Sequence, residues 1–116
     1  VILDPDYARV FTQARCIAWQ YGYSASLHGS YTRDLDILLT PWTEEARPNH
    51  DQLVRLIAQS CDLRESVTNT KGDIRWTEKP RGRRATSLHF PGFGDRRWVD
   101  ISIMPCQPKA SEPSTP

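Results

Sequence analysis

A chain of 116 residues with 38% hydrophobic and 25% charged residues and a formal net charge of +1 fits a single globular domain and excludes gross disorder. No run approaches the eighteen or so apolar residues that span a bilayer. The first residues also lack the basic-then-apolar layout of a secretory signal, so the cytoplasm is the expected compartment.

Asp4-Pro5 reads as a helix cap followed by proline in the first turn. Tyr7, Val10, Phe11, Ala14, Ile17, Ala18 and Tyr21 then recur at helical spacing until Gly22. Ser24 to His28 is expected as a short strand that ends at Gly29-Ser30, and Asp34 to Thr40 as a second strand stopped by Pro41. Asn49 with Gln52 resembles a capping box, and Leu53, Val54, Leu56, Ile57 and Cys61 give the second helix its apolar face.

Weaker strands are expected at Arg64 to Thr68 and Asp73 to Glu78. Lys79-Pro80-Arg81-Gly82 then makes the turn of a hairpin that returns as Ala85 to Phe90. In "RWVDISIMP", Val99, Ile101 and Ile103 alternate with Trp98, Asp100 and Ser102 until Pro105. Residues 107–116, "QPKASEPSTP", carry no periodic apolar pattern and are expected as a disordered tail behind one domain over residues 1–106. The pattern implies an α+β domain, with two helices packed on one face of a mixed sheet of about four or five strands.

Charge is unevenly spread. From Lys71 to Arg97 there are 8 basic and 3 acidic residues, so this end is positive while the remainder is negative. Cys16, Cys61 and Cys106 show no CxxC spacing and are odd in number, which points to reduced, packed thiols. His28, His50 and His89 form no metal or catalytic spacing, and Trp19, Trp42, Trp76 and Trp98 are expected to pack at the core or its rim. Trp76, among Arg75, Lys79 and Arg81, is the one tryptophan placed to stack on a base.

The unusual feature is "LHGSYTRDLDILLTPW", which sets Asp34 and Asp36 into an otherwise apolar strand. Side chains alternate along a strand, so the two acids share a face while Leu35, Ile37 and Leu39 point to the core. Unpaired buried charge costs several kcal/mol, and a divalent cation between the carboxylates would reverse that cost. Asp100 faces away from the core on its own alternating strand and would complete a three-acid site if the strands were neighbours. The alternative is an edge strand whose acids face water or pair with Arg33 and Arg75.

"LHGS", then "RDLDILL" and, much later, "WVDISI" resemble the nucleotidyltransferase superfamily of DNA polymerase beta type, in its minimal single-domain form. The chain looks like the compact, phage-type variant whose Asp-x-Asp is followed by Pro-Trp, here Pro41-Trp42. The resemblance implies that Gly29 and Ser30 contact a nucleoside triphosphate; Arg33, beside Asp-x-Asp, is placed either to neutralise its charge or to pair with a neighbouring acid. It also implies that Asp34, Asp36 and Asp100 hold Mg²⁺ or Mn²⁺ and carry catalysis.

The implied reaction moves a nucleoside monophosphate from the triphosphate to an acceptor that could be nucleic acid, protein or a small molecule. A second copy or a helical partner protein would complete substrate binding, because the chain has no helical domain of its own. Only Tyr31, Thr32 and Arg33 separate Ser30 from Asp34, a shorter turn than the family pattern. That shortening motivates the competing reading: a module of the same fold that binds nucleic acid or a protein through its Arg-rich hairpin without turnover.

Overall fold

The computed structural model describes residues 4–28, 34–42, 44, 46 and 48–106; Gly29, Ser30, Arg33 and the expected tail at 107–116 lie outside the described residues. Helix α1, Pro5–Gln20, starts where the Asp4 side chain accepts the Asp6 backbone N–H at 2.9 Å. It buries Tyr7, Val10, Ala14 and Ala18, one stripe at helical spacing. Gly22 then reverses the chain at φ +87°, and a Cβ there would sit 2.6 Å from the Ala46 Cα. Both the backbone conformation and the close approach therefore require glycine at this corner.

Helix α2, His50–Cys61, begins with the Asn49 side chain accepting the Gln52 N–H at 3.0 Å and ends at Asp62, a left-handed residue. Its buried residues include Leu53, Val54, Ile57 and Cys61, which pack with α1 against the sheet. No helix among the described residues is long and apolar enough to cross a membrane.

Six strands form one mixed sheet: β1 Tyr23–His28, β2 Leu35–Pro41, β3 Arg64–Glu65, β4 Thr77–Glu78, β5 Arg84–His89 and β6 Trp98–Ile103. Their order is β1-β2-β6-β5-β3, with β4 on β5; β2 and β6 run parallel and every other pair antiparallel. Alternation sorts the two faces. Leu35, Ile37, Leu39, Val99, Ile101, Ile103 and Leu88 are buried beneath the helices, whereas His28, Asp36, Asp100 and Ser87 occupy the opposite parity and face the uncovered side.

Two departures from the sequence pattern bear on the site. Asp34 lies in a bend just before β2 and is not part of the strand. The expected strands over 64–68 and 73–78 shrink to β3, β4 and a lone bridge between Val67 and Ile74. The intervening residues close on themselves instead: the Asn69 side chain donates to Asp73 Oδ2 at 2.8 Å and accepts the Lys71 and Asp73 N–H groups. Such local side-chain bonds compete successfully with a ladder.

Arg97 fastens the approach to β6 onto the start of α1. Its guanidinium meets Asp4, Asp6 and Asp95 at 2.8 Å each, and its plane lies 4.1 Å from the Phe90 ring centroid. The Asp95 carboxyl is held down at about 2 and that of Asp4 below its ordinary range, in both cases mainly by hydrogen bonds from Arg97.

Candidate active site

Strand register brings four polar side chains to one level of the uncovered face. Asp36 pairs with Asp100 across the parallel β2–β6 junction, His28 pairs with Asp36 on one side, and Ser87 pairs with Asp100 on the other. The result is a row His28, Asp36, Asp100, Ser87 crossing β1, β2, β6 and β5. Two carboxylates directly opposite one another disfavour a sheet unless something offsets them.

The local electrostatics record that conflict. The Asp36 carboxyl is pushed above its ordinary range, first by burial, then by hydrogen-bonding proximity to Asp100 and by the charges of Asp100 and Asp34; His28 works weakly in the other direction. Ser87 Oγ donates to Asp100 Oδ1 at 2.6 Å, a short charge-assisted bond that fixes this carboxylate. None of the ion pairs among the described residues involves Asp34, Asp36 or Asp100.

The row forms part of the floor of a cavity of about 450 Å³. Its far wall carries Arg75, Lys79 and Arg83, from the segment that leads into β4 and turns back to β5. Acidic and basic side chains thus line the same cavity. Asp34 does not line this cavity. From its bend it acts on Asp36 and also on Tyr7, whose hydroxyl pKa is raised mainly by burial. Among the described residues, no group of three or more His, Cys, Asp or Glu is arranged to hold a metal ion.

The remaining candidates from the sequence fall elsewhere. His50 opens α2, buried, with its Nε2 3.1 Å from the Tyr23 hydroxyl, and burial lowers its pKa. His89 Nε2 lies 2.6 Å from Ser66 Oγ. Trp76 turns to the helix side, where its indole N–H donates to Asp51 Oδ1 at 2.7 Å and Arg84 stacks over its ring at 4.1 Å. It packs against the core and does not line the cavity.

His28 and Ser87 are not singled out by the sequence, and of the Arg-rich hairpin the sequence does not tell which cations line the cavity. His28 and Ser87 carry a parity signal, since each alternates with apolar neighbours, but only the register reveals that they flank the acids. Neither a scan of protein-family models nor a search of curated proteins returned a match for the chain. The functional reading therefore stands on the geometry and on the sequence motifs.

Proposed function

We propose that the protein is a minimal nucleotidyltransferase of the DNA polymerase beta type, acting in the cytoplasm. It would transfer a nucleoside monophosphate from a nucleoside triphosphate to an acceptor. The observation that carries this reading is the Asp36–Asp100 register pair at the base of an open cavity with a cationic wall.

The donor set fits Mg²⁺ or Mn²⁺. Two hard carboxylates share one level of the sheet, Asp36 is destabilised in its charged form, and no described cation pairs with either acid. Asp36 and Asp100 would hold the ion, with Asp34 adding charge from the adjacent bend. When bound, such an ion polarises the phosphoryl group and offsets charge on the attacking and leaving oxygens. Ser87 donates to Oδ1 of Asp100 and orients the carboxylate, which would take the proton of an attacking hydroxyl as general base. Gly29, Ser30 and Arg33 keep their proposed role at the triphosphate, on the connection between β1 and β2.

Calorimetric titration of nucleoside triphosphates, with and without Mg²⁺ or Mn²⁺, tests the reading without presupposing the acceptor. Binding by the wild type is expected only with the divalent ion, and Asp36→Asn is expected to weaken it at least tenfold. Equal binding by both proteins removes the acid pair from the site. The rival module without turnover is favoured by Asp34 standing outside β2, and it predicts ligand binding indifferent to divalent ions.

A further inference from the structure

A second polar cluster lies on the helix side of the sheet. His50 opens α2 and is buried, with its Nε2 3.1 Å from the Tyr23 hydroxyl and its Nδ1 3.5 Å from Arg84 Nη1. The Tyr23 hydroxyl in turn lies 3.1 Å from Cys106 Sγ, and the Cys106 thiol donates to the Ala46 carbonyl at 3.7 Å. One series of contacts therefore runs from β5 through α2 and β1 to the segment behind β6.

The two ends of this series fix the direction of every bond in it. A guanidinium can only donate and a carbonyl can only accept. Nδ1 of His50 must then turn its lone pair to Arg84, and Nε2 must carry the proton and donate to the Tyr23 oxygen. The tyrosine O–H donates to Cys106 Sγ, whose S–H goes to Ala46. Such an arrangement has no place for a second proton on His50. A proton on Nδ1 would face the Arg84 guanidinium, which is held from two other sides: its Cζ lies 4.1 Å from the Trp76 ring centroid, and its Nε pairs with Glu78 at 3.7 Å.

The groups around the imidazole decide what protonation does. Arg84 of β5 opposes it at contact distance, with the exposed Glu78 beyond. Asp51 of α2 favours it, but one oxygen of that carboxylate already accepts the Trp76 N–H. Tyr23 and Cys106 meet it as hydroxyl and thiol. Burial and then the charge of Arg84 accordingly hold the His50 pKa below its ordinary 6.5.

We propose that His50 is an acid-sensitive latch: neutral, it ties the starts of α2 and β5 through Tyr23 to Cys106, and protonated it lets go of the chain behind β6. The sign follows from linkage. A released imidazole takes a proton at 6.5 and a latched one resists it, so the latch keeps its full strength above 6.5 and loses it progressively as pH falls below that value.

Cys106 reports the latch directly. In a Cys16→Ser protein, which lacks the exposed thiol, a dipyridyl disulfide reagent active in acid measures Cys106 against the buried Cys61. Dividing each rate by that of the urea-unfolded protein at the same pH removes the change in thiolate fraction. Opening that takes up one proton at 6.5 increases about tenfold from about pH 7.5 to about pH 5.5, and the normalised Cys106 rate rises with it while Cys61 stays protected. His50→Gln keeps a donor toward Tyr23 and cannot titrate, so its Cys106 rate is the same at both pH values. Labelled-histidine NMR of the wild type at neutral pH, which requires no variant to fold, finds the His50 proton on Nε2.

A wild-type Cys106 rate that does not change with pH overturns the latch, as does an equal rise in His50→Gln. Parallel rises of Cys61 and Cys106 overturn it too, because they mark global unfolding. A neutral His50 with its proton on Nδ1 removes the directed series of bonds, and the latch with it.

Discussion

The two faces of the sheet are built from the same strands and obey opposite rules. Under the helices, β2 contributes Leu35, Ile37 and Leu39 to a largely apolar layer; one residue out of phase it presents Asp36 to an open cavity. β6 repeats the arrangement with Ile101 and Asp100. A period of two residues lets one short segment serve as scaffold and as site, so stability and chemistry separate by parity and not by region.

Substituting along β2 gives the strongest test of this division. Ile37→Ala empties a buried position and is expected to cost about 3 kcal/mol, whereas Thr40→Ser, exposed and of the other parity, should stay within about 0.5 kcal/mol. Chemical denaturation measures both. Comparable losses would mean that the uncovered face is not energetically separate.

The junction that joins the faces at the sheet's end should show next. Arg97→Gln removes the clamp on Asp4 and Asp6 together with the Phe90 stack, at an expected cost of about 1–2 kcal/mol once solvent screening of a partly exposed group is allowed for. Asp4 and Asp95 have depressed pKa values, so their contribution is complete above the ordinary value of 3.8 and is lost as pH falls toward about 2. A thermal melt series across that window should slope steeply in the wild type and be flatter in Arg97→Gln.

The smallest effects come from repairing one flaw on each face. Thr86 Oγ1 is buried on the covered face without a hydrogen-bond partner, and Thr86→Val should gain about 1 kcal/mol or less. Asp36→Asn should also raise the melting temperature of the protein at neutral pH. The Asp36 pKa is raised in the fold, so its ionised form costs stability as pH rises through that value, and the advantage of Asn fades as pH drops toward 3.8. Nucleotide titration separates the two repairs: Thr86→Val keeps divalent-dependent binding and Asp36→Asn loses it. Stabilisation by Thr86→Val alone would argue that the acids are already compensated.

Much of the fold could be read directly. Asp4 and Asn49 announce both helix starts, Gly22 marks the end of α1, and the alternation in "WVDISI" assigns the faces of β6 correctly. The parity of Asp36 and Asp100 was equally visible. Their adjacency was not, because pairing between β2 and β6 is a property of the assembled sheet and leaves no local trace. Asp34 was misjudged as a strand residue because alternation continues through the bend in which it lies. The wall of Arg75, Lys79 and Arg83 was seen only as an excess of charge, since the turn at Pro80–Gly82, with Arg81 and Gly82 at positive φ, decides which cations face the cavity.

The parallel junction between β2 and β6 also governs when the acids can meet. Asp36 and Asp100 are separated in the chain by the whole of α2 and the β4–β5 hairpin, so theirs is a contact of very long range whose closure entropy must be met before it stabilises anything. A chain emerging from the ribosome acquires it only when β6 has been synthesised.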